Sequence, residues 1–344
     1  MNEAPLFSVI MPAYRAAGML PDTLGALHAS SLPRARWELL VVDDASPDTT
    51  GAVAEAFADV VLRLTGSPRG PGQARNAAAS VAKGRWLVFV DADIRVHQDT
   101  LVRFMAAITT HPEAAAIFGA YDAHPAAGSL ISQYRNLLHR YVHLTGAGPA
   151  ETFWAGLGAV RRDWFARLGG FDTRRYPTPQ IEDIELGYRL RDLGGEIILD
   201  PSIQGTHLKR WTLAMMLRTD FRDRAVPWMQ LLLERQGRSV PSLNVGWTER
   251  AKVGVAGVAL VAPVAALVLG TLWPLGVLGL GAALLAAWNL PMYRWFAGQR
   301  GLAFTAAVLP LHLAYYGTSA VAAVTAILRH GWRRFRTAQT APAA

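Results

Sequence analysis

Short, nearly unbroken apolar runs punctuate the first ninety residues, at 7–11, 38–42, 60–64 and 86–91. Runs of this length predict strands buried on both faces, as in a parallel sheet. Between them the period changes. Leu20, Leu24 and Leu27 recur at helical spacing, Ser46 offers an N-cap for a helix through Phe57, and the Ala-rich stretch 73–83 stops at Gly84, a suitable C′ residue. Strand and helix patterns in alternation predict a doubly wound, mostly parallel α/β sheet of Rossmann-like type, with ligands at the carboxyl ends of its strands. No internal repeat is evident.

The pattern is less regular over residues 128–250. Leu130, Tyr134, Leu137, Leu138 and Tyr141 predict an amphipathic helix. A second covers 182–193 and closes at Gly194-Gly195 before a strand at 196–199. Residues 212–235 combine an apolar stripe (Leu213, Met216, Leu217, Ala225, Met229, Leu232) with Arg218, Arg222 and Arg224, the composition of a helix lying in a headgroup layer. Residues 253–293 then carry no charged side chain, and neither do residues 302–328. At about 20 residues per crossing, the first stretch accommodates two spans, about 253–272 and 274–293, turning near Trp273-Pro274, and the second accommodates one. The expected organisation is a catalytic domain over 1–211, amphipathic interfacial helices and linker over 212–250, all-α transmembrane helices over 251–330 and a basic, unstructured tail over 331–344.

Charge sharpens this division. No Asp or Glu follows Glu249, so the net charge of +8 belongs to the C-terminal part, where Arg flanks apolar segments. That is the positive-inside pattern of a multi-pass membrane protein and argues against nucleic acid as a partner. It places the catalytic domain on the cytoplasmic face of the inner membrane, although three crossings would carry Arg329, Arg333, Arg334 and Arg336 to the opposite side. The absence of Cys excludes disulfides, zinc–thiolate sites and a thiol nucleophile. Residues 1–14 lack the basic start and long apolar core of a signal peptide and fit a first strand.

The candidate chemistry centres on carboxylates at strand ends. Asp91-Ala92-Asp93 directly follows an apolar run, and two hard oxygen donors there suit Mg²⁺ or Mn²⁺ completed by diphosphate oxygens. Asp43-Asp44 also ends a run. Gly70-Pro71-Gly72-Gln73-Ala74-Arg75-Asn76 is a Gly-rich bend opening a helix, where Arg75 can meet a phosphate through charge and dipole together. Neither a Walker loop nor G-x-G-x-x-G occurs, so P-loop and dinucleotide chemistry are disfavoured. His207, Lys209 and Arg210 add a candidate metal ligand and two candidate diphosphate clamps, and Trp154 with Gly156 offers an aromatic acceptor wall.

Ser8-Val9-Ile10-Met11-Pro12-Ala13-Tyr14, Val41-Val42-Asp43-Asp44-Ala45-Ser46, Gly72-Gln73-Ala74-Arg75-Asn76, Asp91-Ala92-Asp93, Gly169-Gly170-Phe171-Asp172 and Ile181-Glu182-Asp183 arrive in one order over about residues 5–210. In this the chain resembles the inverting family-2 glycosyltransferases of GT-A fold. The resemblance implies that Pro12, Ala13 and Tyr14 line the nucleotide pocket and that Asp44, with Asp43, hydrogen-bonds the base, typically uracil. It implies that Asp91 and Asp93 handle ribose, metal and diphosphate, and that Asp183 of the Glu182-Asp183 pair is the general base. The donor implied is a nucleotide sugar, with UDP the first candidate, and the acceptor a lipid-linked or membrane-associated glycan among membrane lipids. A helix start favours acidic residues in any case, so Glu182 and Asp183 also have a purely structural account. A polyprenyl-phosphate acceptor and a catalytically silent scaffold stay open as alternatives. The Q-x-x-R-W motif of processive synthases is missing; only Arg210-Trp211 matches it.

Overall fold

The computed structural model describes residues 4–235 and 246–340. The chain divides into two compact units, residues 1–128 with 135–210 and residues 129–134 with 211–344.

The first unit opens with β1 (Phe7–Ala13), α1 (Leu20–His28), β2 (Trp37–Asp44), α2 (Thr50–Glu55), β3 (Val60–Leu64), α3 (Pro71–Ala79) and β4 (Trp86–Val90). It continues with β5 (Ile94–Val96), α4 (Thr100–Thr110), β6 (Ala114–Tyr121), α5 (Leu130–Thr145), β7 (Gly148–Pro149) and β8 (Leu157–Arg161). It closes with α6 (Arg162–Leu168), α7 (Glu182–Asp192) and β9 (Glu196–His207). Helix α5 begins in the segment that belongs to the second unit.

The strands form one sheet in the order β3-β2-β1-β4-β8-β6-β9-β5, with β7 beside β9. From β3 to β4 every pairing is parallel, as the apolar runs predict. Alternate side chains go to opposite faces of such a strand. Phe7, Val9 and Met11 join Leu39, Val41, Trp86 and Val88 in the core beneath α1 and α4. Ile10, Leu40, Leu87 and Phe89 are buried on the other face, where Phe89, Phe165 and Phe171 pack at centroid distances of 5.3–5.6 Å. Burial on both faces explains why β1, β2 and β4 read as continuous apolar runs; β3, expected to be buried likewise, lies at the sheet's edge and is only half-buried.

Beyond β4 the sheet is mixed rather than mostly parallel. β8 is antiparallel to both β4 and β6, while β9 runs parallel to β6 and antiparallel to β5. The strand expected at 196–199 continues to His207, passing Pro201 where its register with β6 shifts between Phe118 and Ala120. Proline is tolerated at such an irregularity. Two expected caps also move. α3 ends at Ala79, and Gly84 instead lets two backbones approach, since a Cβ there would lie 2.3 Å from Ser8 N. α2 starts only at Thr50, and Ser46 uses its hydroxyl to accept from Arg15 N.

The second unit contains α8 (Leu213–Arg218), a π-helical turn (Thr219–Ala225), α9 (Val226–Glu234), α10 (Trp247–Leu269), α11 (Trp273–Trp288) and α12 (Leu290–Thr340). The linker residues 236–245 and the last residues, 341–344, lie outside the described residues. α10 ends on Gly270 in the left-handed region, so the turn falls before Trp273-Pro274, which instead opens α11. Residues 290–293, expected to complete a span, begin α12, which breaks at Gly301 (φ 83°). The tail expected to be unstructured continues α12 as helix through Thr340. Inside the unit Lys252 Nζ donates to Glu249 (2.6 Å) and Asn289 (2.9 Å), and Tyr316 donates to Glu249 (2.9 Å), joining α10, the end of α11 and α12. By length and composition, α10 and residues 290–333 of α12 are apolar enough to cross a membrane; α11, with 16 residues, is shorter.

Candidate functional site: a carboxylate crevice at the strand ends

The carboxyl ends of β1, β2 and β4 bring the first motifs together. Ala13 is buried, Pro12 half-buried and Tyr14 exposed beside the Arg15 guanidinium. Arg15 (φ 51°) and Ala45 (φ 56°) are non-glycine residues held in the left-handed region, a conformation costing on the order of 1–3 kcal/mol each. Two hydrogen bonds between these loops impose it: Arg15 N to Ser46 Oγ (3.0 Å) and Ala16 N to Thr50 Oγ1 (2.9 Å).

Asp43 and Asp44, consecutive on a strand, point to opposite faces. Asp44 accepts from Arg69 N (2.9 Å) and Gly70 N (2.7 Å), drawing the loop before α3 over the end of β2. That loop, with Thr65, Ser67, Arg69, Gln73 and Thr173, lines a cavity of about 390 Å³. Asp43 accepts instead from Ser46 N (3.0 Å) and crowds Gly51, so it braces the turn into α2 and is not shared with Asp44's loop.

Asp91 follows β4 directly. Its amide donates to Gly156 O (2.9 Å) and its carbonyl accepts from Ile94 N, a tight turn that lifts both carboxylates of Asp91-Ala92-Asp93 above the sheet. The length of β9 then matters. Pairing of Ile94 with His207 brings His207 Nε2 to 3.7 Å from Asp93 Oδ2, and Leu208 N donates to Asp93 O. His207 is buried and stacks on Tyr121 at 4.2 Å. Burial works against the charge on Asp93, but His207 and Lys209 outweigh it and hold this carboxyl below its ordinary range. Arg210 is exposed and, among the described residues, forms no ion pair with these carboxylates.

Arg75 does not present itself to a phosphate as its place in α3 suggested. Its side chain is buried, donating to Asp91 Oδ1 (2.6 Å) and Glu182 Oε1 (3.4 Å). Both carboxyls nonetheless sit above their ordinary range. Desolvation raises them, followed by Asp93 for Asp91 and Asp183 for Glu182, against the pull of Arg75.

The two acidic residues opening α7 separate by role. Glu182 is buried, with Oε1 toward Arg75 and Oε2 accepting from Gln180 N. Asp183 is half-buried; Oδ2 accepts from Ala155 N (3.0 Å) and Oδ1 from Ile184 N (2.8 Å). Asp183 is thus fixed at the crevice; it also accepts from a helix amide, and Glu182, Asp183 and Glu185 all lie in the first turn of α7, where the helix dipole favours them.

Trp154 lies edge-on to Tyr121 (4.9 Å) and beside His139 (4.5 Å), and a Cβ on Gly156 would fall 2.5 Å from its indole. Glycine there is what lets the ring lie across the strand entrance. Sequence reading missed Tyr121, His139, His143 and Ala155, the last because it works only through its amide. Among the described residues no three His, Asp or Glu side chains converge as a complete metal cage. At 3.7 Å the Asp93–His207 spacing is longer than the edge, about 3 Å, of an octahedron with ligands at 2.0–2.1 Å, so a divalent ion held by both would draw them together and take its remaining ligands from a diphosphate.

Comparison with known proteins adds the lineage. Residues 8–169 match the Glycosyl transferase family 2 model. A segment is 34% identical over 109 residues to poly(ribitol-phosphate) beta-N-acetylglucosaminyltransferase TarS of Staphylococcus aureus, covering 30% of this chain and 19% of that protein. Another match, 28% identical, is to validoxylamine A glucosyltransferase of Streptomyces hygroscopicus, over 56% of this chain and 53% of that one. The chain therefore spans at most about half the length of these relatives. Among solved structures, mannosyltransferase PcManGT from Pyrobaculum calidifontis, in complex with GDP-Man and Mn²⁺, is similar with TM-score 0.58 at 22% identity, over 96% of this chain and 88% of that one. Residues 8–169 thus carry a family 2 glycosyltransferase domain, built on a GT-A-like mixed sheet and followed by helices.

Proposed function

We propose that this chain is a membrane-anchored inverting glycosyltransferase that moves a sugar from a nucleotide donor, UDP-linked in the first instance, to a hydroxyl of a lipid-linked or other membrane-associated glycan. The observation that carries the reading is the convergence of Asp91, Asp93 and Asp183 on one crevice, where Asp91 N donates to Gly156 O and the adjacent Ala155 N donates to Asp183. A relative named for sugar transfer to poly(ribitol-phosphate) supports a polymeric hydroxyl acceptor. GDP-Man in one structural neighbour keeps guanosine donors in the test.

In this reading Pro12, Ala13, Tyr14 and the loop held by Asp44 enclose the nucleoside, and Lys209 lies toward the diphosphate. A divalent cation held by Asp93 and His207 would neutralise charge on the leaving diphosphate. Asp183 takes the proton of the acceptor hydroxyl as that oxygen attacks the anomeric carbon and the bond to the diphosphate breaks, inverting the centre in one displacement. Trp154 supplies a flat apolar face for the acceptor. α10 and the long α12 hold the enzyme in the inner membrane, catalytic domain on the cytoplasmic side.

The test is a panel of UDP- and GDP-sugars offered with Mn²⁺ and a membrane lipid extract to the detergent-purified protein, with Asp183→Asn alongside. Transfer by the parent and a loss of about 10²–10⁴-fold in the variant are expected. Full turnover in Asp183→Asn would remove Asp183 as the base and favour an acceptor that is already ionised, such as a polyprenyl phosphate.

A further inference from the structure

We propose that Arg75 is a positioning residue that couples the nucleotide side of the crevice to the Glu182–Asp183 pair, instead of serving as a phosphate ligand. This deepens, and rests on, the glycosyltransferase reading. The Arg75 side chain is 4% exposed, which withdraws it from any ligand in the crevice. One Nη meets Asp91 at 2.6 Å, the other meets Glu182 at 3.4 Å, and the guanidinium lies 5.5 Å from the Phe171 ring centroid. Its Nε is buried with no hydrogen-bond partner. A guanidinium removed from water this far is stable only while carboxylates face it, so its orientation and theirs are set together.

A second connection joins the same residues. Asp91 N donates to Gly156 O, and the neighbouring Ala155 N donates to Asp183 Oδ2. Because Glu182 and Asp183 are consecutive, the contacts close a ring: Asp91, Arg75, Glu182, Asp183, Ala155-Gly156 and back to Asp91. One arm is ionic and one is backbone. Asp91 is the member with the more open side chain, 34% exposed, and it is the one a nucleotide can touch. A ligand that draws on Asp91 changes its hold on Arg75, and through the fork of the guanidinium changes the hold on Glu182. A lysine, with one point charge, cannot span both carboxylates in the same way.

The experiment is hydrogen–deuterium exchange of the full chain in detergent, using UDP with Mn²⁺ as the probe, with calorimetry on the same samples. In the wild type the probe is expected to slow exchange in peptides over 151–158 and over 180–188 by at least about fivefold. In Arg75→Gln the effect over 180–188 should shrink below about twofold while the Kd for UDP with Mn²⁺ changes by less than about threefold. Arg75→Lys should restore it in part at most. Glu182→Gln cuts the same arm at its other end without removing the guanidinium, and should give the same loss if Arg75→Gln does not fold. A Kd weakened by more than about tenfold in Arg75→Gln would make Arg75 a ligand and overturn the proposal. So would protection over 180–188 that survives in both Arg75→Gln and Glu182→Gln. If wild type binds neither UDP nor GDP with Mn²⁺, the glycosyltransferase reading itself fails, and the coupling falls with it.

Discussion

Single atoms decide much of this site. Gly156 is a case: its missing Cβ is the space in which the Trp154 indole lies, at 2.5 Å from where that atom would be. The obstruction is a side chain, not backbone, so Gly156→Ala should fold, with the indole displaced. The expected outcome is a change in tryptophan emission with nucleotide affinity within about threefold of wild type, and acceptor KM raised by about tenfold, read from binding and transfer assays on one preparation. An unchanged acceptor KM would take Trp154 out of the acceptor wall. Carboxylates such as Asp91, Asp93 and Asp183 were legible in the sequence because their chemistry is carried by side chains. Ala155 was not legible, because an amide leaves no trace in residue type. Arg75 was legible as a candidate, but its pairing with Asp91 and Glu182 was not, since a helix start says nothing of which neighbours bury a side chain.

At the level of strands and helices, the part of the sheet that could be read was the part written in long aliphatic and aromatic runs, whether fully buried like β1, β2 and β4 or half-buried at the edge like β3. β1 to β4 are rich in Val, Leu and Phe and announce themselves. β6 (Ala114–Tyr121) opens on three alanines and β8 (Leu157–Arg161) contains Gly158, so neither carries a strand's residue preference. Both are strands because of what surrounds them: a Cβ on Gly119 would lie 2.3 Å from Ile203 O, and one on Gly158 would lie 2.4 Å from Trp154 O. The end of β6 is fastened by Asp122, buried, which accepts from Thr206 of β9, from His97 (3.0 Å) and from His124 N. Burial opposes the charge, but these hydrogen bonds outweigh it and keep the Asp122 carboxyl below its ordinary range. A depressed folded-state pKa means stabilisation present above the unfolded value of about 4 and lost as pH falls through the folded one. Asp122→Asn should therefore cost about 1–3 kcal/mol at neutral pH, with the difference from wild type narrowing below about pH 4 in denaturant titrations. A difference independent of pH would show that shape, not charge, is what Asp122 contributes.

On the scale of the whole chain, two kinds of composition follow one another, a neutral α/β part and a C-terminal part without a single acidic residue after Glu249. The apolar faces of α10 and α12 stay exposed: Val261, Val264, Leu267, Val324 and Ile327 each show more than half their surface. Exposed aliphatic faces of this length are what the proposed membrane anchor would place against lipid. Carbonate washing of membranes from expressing cells should leave the protein in the pellet, and release into the supernatant would count against an integral anchor. The sheet order has a consequence in time. β8 lies between β4 and β6 although it is made after both. On the ribosome the open edge of β4 therefore waits, unpaired, until residue 161 has emerged. The loops after β1 and β2 can settle early, but Asp183 and, after it, His207 and Lys209 emerge later still, so the two sides of the crevice close only once β9 has been made.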